Sequence, residues 1–537
     1  MMSFPWWLSL SVGFLSLSQE ILWVRIVSFS YQGAPIAFSF VLGNYLVGIA
    51  LGAFVGKWFC RRSKDLYLVG AATLMVAATV DLLTPALAGH FLSPGQSSLP
   101  WVPLLIILTA ALKSVLFPIA HHLGSAQSGA NVGRSVSKVY FGNIIGSTLG
   151  PIVTGFYLLD NFTVEQSFMI LGTGCALLGV ATAAQSSNRL AWMFVGGAGA
   201  VGMMALTPWR PPDLIGPIAL HAPAKSAELT HVIQNKHGII HVVDDAERGD
   251  VVFGGNIYDG RTNVDMTINS NGLDRVYILA ALHPAPRRVL VIGMSTGAWT
   301  RALTAFPGVE HIDVVEINPG YLELVRAYPE VSPVLEDPRV HVHVDDGRRW
   351  LKRHPDAKYD LIVQNTTYHW RANITNLLSV EYFRELRGHM RPGGIATINT
   401  TASPDVYRTA QEAFPHAFKY RHFVYVGDRD FGVDAETVLD RLRLLQLDGR
   451  PVFEANQFEE GGLVSALAAN NLVPVSALLA EHRGVPAEVI TDQNLLTEYR
   501  HGRSLLPGPL RQFLPGNPDA IAFEKPLVGS ASTSTSP

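Results

Sequence analysis

The chain has 537 residues, too many for one ordinary domain, and 48% of them are hydrophobic. Charge is unevenly divided, since residues 1–208 carry nine Lys/Arg and five Asp/Glu whereas the remainder carries 32 and 39. Only two cysteines occur, which excludes a disulfide framework and gives no reason to expect a metal site. The mildly acidic second part lacks the basic face of a nucleic-acid-binding protein. We therefore expect two parts in different surroundings.

Apolar stretches recur throughout residues 1–208. They lie near 5–24, 35–56, 66–88, 101–120, 139–159, 165–184 and 190–207. At 1.5 Å per residue, about 20 residues of helix cross a hydrocarbon core of roughly 30 Å. We predict a transmembrane domain of about seven helices, with six or eight left open, so that a lipid bilayer is one partner. The first stretch lacks the basic segment of a signal peptide and is expected to be retained.

Five ionisable residues fall within or beside these stretches: Glu20, Asp81, Lys113, His121 and His122. An ionisable side chain inside a membrane is costly, and it marks a functional site by default. Two ordinary alternatives remain open. One is that the long side chain of Lys113 extends to the membrane interface. The other is that His121 and His122 lie at the end of a span.

The rest of the chain divides by pattern. Residues 209–230 are proline-rich at their start and predict a linker, and 231–280 predict an antiparallel β unit. Residues 281–430 alternate buried strands with amphipathic helices, which is typical of an α/β doubly wound parallel sheet with a Rossmann-like architecture. Residues 431–515 are expected to be mostly helical, and the low-complexity tail 516–537 to be disordered.

Glycines and acids follow successive strands of the predicted sheet. VLVIGMSTGAW, residues 289–299, is a strand and a turn that opens a helix, with Gly293, Ser295 and Gly297 in the turn. Glu316 ends the second strand, where a carboxylate accepts the hydroxyls of a ribose. Asp346 and Gly347 follow the third strand, where an adenine amino group would lie. Together, these positions predict a nucleoside site of the class I methyltransferase type.

The fourth strand, within YDLIVQNTTYHW, ends in Gln364, Asn365, Thr366, Thr367 and Tyr368. We assign Gln364 and Asn365 to the cofactor site as well. No carboxylate stands at this strand end, and an amide cannot act as a base at pH 7. Candidates for the missing catalytic group are His369, Glu381 and Gln364. The alternatives are that His369 is an exposed loop residue and that Glu381 stabilises the start of a helix.

From about residue 230 to 400, the chain resembles the spermidine synthase (polyamine aminopropyltransferase) family. VLVIG, VVEINPGYLELVRAYPE, VHVDDGRRWL, YDLIV and LLSVEYFRELRGHMRPGG carry the resemblance. QEILWVRI, KVYFGNIIGSTLGPIVTGFYLL and ITDQNLLTEY resemble bacterial proteins in which a membrane module is fused to such a domain. In this family an aminopropyl group moves from decarboxylated S-adenosylmethionine to an amine, which leaves methylthioadenosine.

The resemblance also locates departures from the family. Its D-S-x-D-P loop aligns with Gln364–Tyr368, where both aspartates are missing, and its GGGDGG loop has become GMSTGA. The glutamine after the β unit is replaced near Tyr258, and only Tyr277 remains of a Tyr-His-Glu stretch. We assign Tyr258, Asp274, Tyr277 and Tyr368 to substrate binding. Without the loop aspartates, a diamine acceptor is doubtful.

Two functions follow. The first is a membrane-bound, spermidine synthase-like transferase that uses S-adenosylmethionine or decarboxylated S-adenosylmethionine to alkylate an unidentified acceptor. The second is a non-catalytic domain that senses a nucleoside and regulates a membrane transport module. A homodimer is a further assembly to consider.

The positive charges in the connections between the predicted spans indicate how the helices are oriented in the membrane. The basic residues of the second and fourth connections are Lys57, Arg61, Arg62, Lys64, Arg134 and Lys138. The connections near 89–100 and 160–164 have none, so the positive-inside rule places the second and fourth connections and the N-terminus in the cytoplasm. Seven spans would put the second part outside, away from an intracellular nucleoside. We therefore expect a miscounted or re-entrant segment near 165–207 and a cytoplasmic C-terminal domain at the inner membrane.

Overall fold

The structure is a computed structural model. It describes residues 3–93, 100–126, 132–188, 212–219, 229–468, 472–483 and 486–500. Contacts divide the chain into two compact units, Met1–His241 and Val242–Pro537. Most of the expected linker and all of the tail 516–537 lie outside the described residues.

The first unit is built from long apolar helices. They are α1 (Phe4–Ser30), α2 (Ile36–Arg62), α3 (Leu66–Leu92), α4 (Trp101–Ser114), α5 (Leu116–Ala126), α6 (Val132–Val153) and α7 (Val164–Ala183). Helices α4 and α5 form one continuous span, and α6 continues through a π turn to Asn161. In the described part of the chain, six helices are therefore long and apolar enough to cross a membrane. The seventh predicted span, 190–207, lies outside the described residues.

A charged pair is enclosed between these helices. Lys113 Nζ lies 2.8 Å from Asp81 Oδ2 and donates to Gln19 Oε1 at 2.8 Å, while Gln19 Nε2 donates to Asp81 Oδ1 at 2.5 Å. All three side chains are buried. Lys113 therefore does not extend to the membrane interface, because its charge is neutralised inside the unit.

The first unit ends in a hairpin of β1 (Leu229–Asn235) and β2 (Gly238–Val243), and the division between the units falls within β2. The side chain of Asn235 closes the turn by accepting from the backbone N–H groups of His237 and Gly238. This hairpin begins the antiparallel unit that was expected from residue 231.

The second unit starts with the antiparallel pair β3 (Val251–Gly254) and β4 (Tyr258–Arg261), and its centre is an eight-stranded sheet. The strands of this sheet are β5 (Arg288–Ile292), β6 (His311–Glu316), β7 (Val340–Val344), β8 (Tyr359–Gln364), β9 (Met390–Asn399), β10 (His416–Tyr420), β11 (Phe423–Gly427) and β14 (Val473–Pro474). Their spatial order is β14-β10-β11-β9-β8-β5-β6-β7. The five strands predicted from sequence are parallel.

The sheet is mixed, because three antiparallel strands that were not predicted extend the five parallel ones. β11 pairs antiparallel with β9, β10 with β11, and β14 with β10. Arg421, at φ 51°, lies in the tight turn between β10 and β11. Such a turn reverses the chain without the helical crossover that a parallel connection needs. The chain order changes direction between β5 and β8, and in open α/β sheets ligands bind at the carboxyl ends of strands beside such a point.

Helices cover the sheet of the second unit. They are α8 (Asp274–Leu282), α9 (Ala298–Leu303), α10 (Gly320–Arg326), α11 (Gly347–Arg353), α12 (Val380–Gly388) and α13 (Pro404–Ala413). Strand β5 is buried on both faces: Val289 and Val291 belong to one core cluster and Leu290 and Ile292 to another. This two-sided burial explains the continuous apolar run of a parallel strand.

Residues after 430 are less helical than expected. The described helices there are short: α14 (Ala435–Arg443), α15 (Leu463–Ala468), α16 (Val475–Glu481) and α17 (Leu496–Arg500). A two-residue pair, β12 (Gln446–Leu447) and β13 (Arg450–Pro451), lies among them. Apolar residues of this region pack on the two cores, among them Val438 and Leu442 on one and Val475 on the other.

Candidate functional site

The turn after β5 has the backbone that its glycines suggested. Gly293 and Gly297 have φ angles of 88° and 77°, and Ser295 between them has 48°. A Cβ on Gly293 would lie 2.9 Å from the carbonyl oxygen of Asn365, the residue that follows β8. A side chain at Gly293 would therefore both strain the turn and push apart two neighbouring strand ends.

Glu316, the last residue of β6, turns its carboxylate towards this turn. Oε2 accepts from the Met294 N–H at 2.7 Å and Oε1 from the Asn318 N–H at 2.8 Å. Burial raises the pKa of Glu316 to about 7, against the lowering effect of these backbone hydrogen bonds. Each oxygen keeps a lone pair after these contacts, so the fixed carboxylate can still accept two hydroxyl groups.

Asp346 and Gly347 follow β7, beside the same edge. The carboxylate of Asp346 accepts from the Arg349 N–H at 2.8 Å and caps α11. A Cβ on Gly347 would lie 2.7 Å from a methyl carbon of Ile292, the residue before the glycine turn. Gly347 is thus needed for the close approach of α11 to β5, and capping already uses one oxygen of Asp346.

The surroundings of Gln364 differ from those expected of a catalytic or cofactor-binding residue. It is fully buried; its Oε1 accepts from the Tyr382 hydroxyl at 2.7 Å and its Nε2 donates to the Leu377 carbonyl at 2.9 Å. Both ends of the amide are occupied within the protein, so a catalytic role for Gln364 gains no support. Asn365 remains at the strand end, where its Oδ1 accepts from Asn399 at 3.1 Å.

The two other catalytic candidates have separate surroundings. His369 has its Nδ1 2.6 Å from Thr401 Oγ1, in the loop after β8. Glu381 is exposed in the first turn of α12, and its carboxylate accepts from the Asp492 N–H at 3.0 Å. This contact favours the alternative that Glu381 stabilises a helix start, whereas His369 stays a prediction.

The four predicted substrate residues separate into two pairs. Tyr258 and Tyr368 are close enough to affect each other electrostatically, although burial is the main reason that the pKa of Tyr258 is raised. Asp274 is fully buried and accepts from Tyr420 and Arg421, each at 2.7 Å. Asp274 therefore has a structural ion pair, which argues against its assignment to substrate binding.

Tyr277, the other member of the second pair, lies in the core. Its ring centroid is 6.3 Å from that of Phe306 and 5.4 Å from that of Phe453, and its side chain has no exposed surface. Tyr277 lies in α8, although residues 231–280 were expected to form an antiparallel β unit, and its side chain faces the apolar interior. Its assignment to substrate binding gains no support from this position.

Sequence reasoning missed a second buried acid, Asp259 in β4. Its carboxylate accepts from the hydroxyl of Tyr321, and its backbone carbonyl accepts from Ser295 Oγ at 2.6 Å. Burial raises the pKa of Asp259 to about 6, opposed by the Tyr321 hydrogen bond and by the charge of Arg371. The YDG motif had indicated only a turn, and no local signal links Asp259 to a glycine turn 36 residues later.

Arg371 was also missed. It follows the loop after β8, donates to Thr367 Oγ1 at 2.8 Å and to the Gly254 carbonyl at 3.3 Å, and interacts electrostatically with Asp259 and Tyr321. The site thus joins β3 and β4, the glycine turn and the loop after β8. In this loop the charged group is a cation, where the sequence resemblance leads one to expect carboxylates.

Comparison with known proteins identifies the second unit. The Spermine/spermidine synthase domain family matches residues 276–422. A polyamine aminopropyltransferase of Agathobacter rectalis is 41% identical over 92 residues, which are 17% of this chain and 32% of that protein. One from Streptococcus pneumoniae is 30% identical over 156 residues, which are 27% of this chain and 54% of that protein.

A longer similarity includes part of the apolar region. A polyamine aminopropyltransferase of Mycobacterium tuberculosis is 23% identical over 386 residues, which cover 68% of this chain and 71% of that protein. The chain spans only about a third to a half of the length of the Agathobacter and Streptococcus relatives. The C-terminal part of this chain contains a spermidine synthase domain whose homologues are polyamine aminopropyltransferases.

Proposed function

We propose that the second unit binds an adenosyl sulfonium donor and transfers its alkyl group to an acceptor. The observation that carries this proposal is Glu316, a buried carboxylate held by the Met294 and Asn318 N–H groups beside the glycine turn. No Lys or Arg pairs with it in the described residues. A buried carboxylate with free lone pairs is suited to the two hydroxyls of a ribose.

The donor is decarboxylated S-adenosylmethionine or S-adenosylmethionine. The aminopropyltransferase homologues favour the decarboxylated form. Transfer forms a bond between the acceptor's nucleophilic atom and the carbon attached to sulfur, while the carbon–sulfur electron pair stays on sulfur. The donor becomes a neutral thioether, and an amine acceptor must lose a proton. His369 and Asp259 are the candidates to receive it, since a base works best when its pKa lies near the working pH.

The charges at the acceptor end of the site argue against a diamine as the acceptor substrate. Between Gln364 and Arg371 the loop has no acid, and Arg371 contributes a positive charge next to Thr367. A dication entering here would lose hydration, at a cost of several kcal/mol per ion, without a loop carboxylate to offset it. We expect putrescine and spermidine to be poor acceptors.

Six long apolar helices in the described part of the first unit support insertion in a membrane. The transferase is therefore proposed to be a membrane-bound enzyme. The competing function, a nucleoside sensor that regulates a transport module, requires the same ligand but no turnover.

The two functions differ in the fate of the ligand. The full-length protein in detergent would be incubated with each donor and a mixture of candidate acceptors, and the release of methylthioadenosine or S-adenosylhomocysteine measured. Release that is lost in Glu316→Ala but kept in the exposed control Glu323→Ala supports the transferase. Tight binding with quantitative recovery of intact donor would instead establish the sensor.

A further inference from the structure

The helices of the first unit share a basic end. The C-termini of α2 and α5 and the N-termini of α3 and α6 lie here. Phe4 at the start of α1 has its ring centroid 6.0 Å from that of Tyr67 at the start of α3. Next to Phe4, Pro5 lies near Gly124 in α5, and Ser135 in α6 donates to the Gly124 carbonyl at 2.6 Å. We call this the basic end.

The β1–β2 hairpin is at the opposite end. Lys236 Nζ lies 2.8 Å from Asp160 Oδ2, and Gln234 Oε1 accepts from the Val164 N–H at 2.9 Å at the start of α7. At the C-terminus of α1, the Phe29 ring centroid is 5.8 Å from that of His241. We call this the hairpin end.

The chain changes ends after α7. Ser186 donates to Asp65 at the start of α3, so α7 finishes at the basic end. A Cβ on Gly89, near the C-terminus of α3, would lie 3.4 Å from the Asp213 carbonyl oxygen, so Asp213 and Leu214 lie beside that end of α3. The 27 residues of α3 span roughly 40 Å at 1.5 Å per residue. The described residues thus end at the basic end with Asn188 and resume at the hairpin end near Asp213, and they give no support to the expectation of a miscounted or re-entrant segment near 165–207.

Basic residues distinguish the two ends. The basic end has six Lys or Arg in or beside its connections: Lys57, Arg61, Arg62, Lys64, Arg134 and Lys138. The short connections at the hairpin end, 31–35, 93–100 and 162–163, have none. Arg25 lies near that end, and its guanidinium donates to the Asn235 carbonyl of the hairpin. Short connections rich in Lys and Arg stay in the cytoplasm.

We infer that the hairpin end, and with it the spermidine synthase domain, faces the extracytoplasmic side of the membrane. The domain follows β2 directly, and no apolar helix long enough to cross a membrane lies among the described residues after 241. This inference reverses the cytoplasmic placement expected from sequence. It rests on the first unit alone, so it holds for a transferase and for a sensor alike. The nucleoside ligand must then be available outside the cytoplasm or delivered there across the membrane.

Cysteine labelling tests this placement with the full chain. The background is Cys60→Ser, and Cys175 is fully buried. One variant adds Glu436→Cys, an exposed position in the second unit, and the matched variant adds Ser137→Cys, an exposed position at the basic end. Spheroplasts would be treated with a membrane-impermeant maleimide before and after permeabilisation, with labelling in detergent as the reference for accessibility.

We expect Glu436→Cys to be labelled in intact spheroplasts to at least 80% of its detergent value, and Ser137→Cys only after permeabilisation. The opposite pattern would overturn the inference. An alkaline phosphatase fused after Pro537 supplies an independent readout, because the phosphatase is active only outside the cytoplasm. An inactive phosphatase fusion, together with a fluorescent cytoplasmic reporter at the same site, would also overturn it.

Discussion

Both units bury acids, but they satisfy them in opposite ways. In the first unit, Asp81 is paired with Lys113 and hydrogen-bonded to Gln19, so the charge is compensated by the chain itself. In the second unit, Glu316 and the half-buried Asp259 accept hydrogen bonds from neutral donors. Burial raises the pKa of each, and the charge of Arg371 opposes this rise at Asp259. The ion pair of the first unit needs no ligand to compensate its charge, whereas the carboxylates of the second unit can still accept further hydrogen bonds. This difference separates a charge that joins helices from a charge that is positioned to bind.

The Asp81 pair should give the largest effect. Asp81→Ala leaves the Lys113 ammonium buried and uncompensated, and breaking such a pair costs about 3–5 kcal/mol of stability. Thermal unfolding in detergent would measure the loss. The double variant Asp81→Ala/Lys113→Met removes both charges and should recover most of the stability. If the single and double variants are equally unstable, the ion pair is not the reason for the loss.

Glu316 tests the other side of the comparison. Glu316→Ala removes the acceptor of two hydroxyls and should weaken nucleoside binding by about 2–3 kcal/mol, or about 30-fold to 150-fold. Calorimetry with methylthioadenosine would measure this, with Glu323→Ala as the exposed control on α10. Unchanged affinity in a folded Glu316→Ala protein would remove Glu316 from the site.

A substitution at Gln364 distinguishes a structural role of this side chain from contact with the ligand. Gln364→Leu leaves the Tyr382 hydroxyl and the Leu377 carbonyl without their partner, which should cost about 1–3 kcal/mol of stability. Nucleoside affinity at a temperature where the variant is folded should change less than threefold. A large loss of affinity with normal stability would show that Gln364 reaches the ligand after all.

The raised pKa of Glu316 predicts a pH dependence. Ribose hydroxyls favour the ionised carboxylate, so nucleoside affinity should fall about tenfold per pH unit as the pH drops below about 7, and level off above it. The unliganded protein should behave oppositely. A pKa raised on folding contributes stability below the unfolded value of 4.5 that is lost as the pH rises through about 7. Titration calorimetry and thermal unfolding between pH 5 and 8.5 would check both trends. In Glu316→Gln the affinity trend should disappear, and the stability trend should be reduced to the part that Asp259 contributes.

Local patterns determined much of the molecule. Hydropathy alone located the six described helices that are long and apolar enough to cross a membrane, because a helix in lipid must be apolar for about 20 residues. Five parallel strands were predicted from their continuous apolar runs, and the glycine turn and Glu316 from residues that directly follow strands. Each of these signals lies within a few residues of the feature that it predicts.

Tertiary structure decided what depends on distant residues. Lys113 meets Asp81 across two helices, Asp259 meets Tyr321 across 62 positions, and Gln364 turns inward to Tyr382. The sequence shows which residues are charged or polar, but the contact that satisfies each of them forms only when separate elements pack.

The side of the membrane on which the second unit lies shows most directly what the sequence and the tertiary structure each contribute. The sequence determined where the positive charges lie, and the positive-inside rule needs nothing more to orient the helices. It did not determine at which end of the bundle the chain leaves for the second unit, because residues 165–207 allowed more than one count of spans. The inferred extracytoplasmic placement rests on the contacts of Ser186 with Asp65 and of Lys236 with Asp160, since a folded bundle fixes which chain segments share an end.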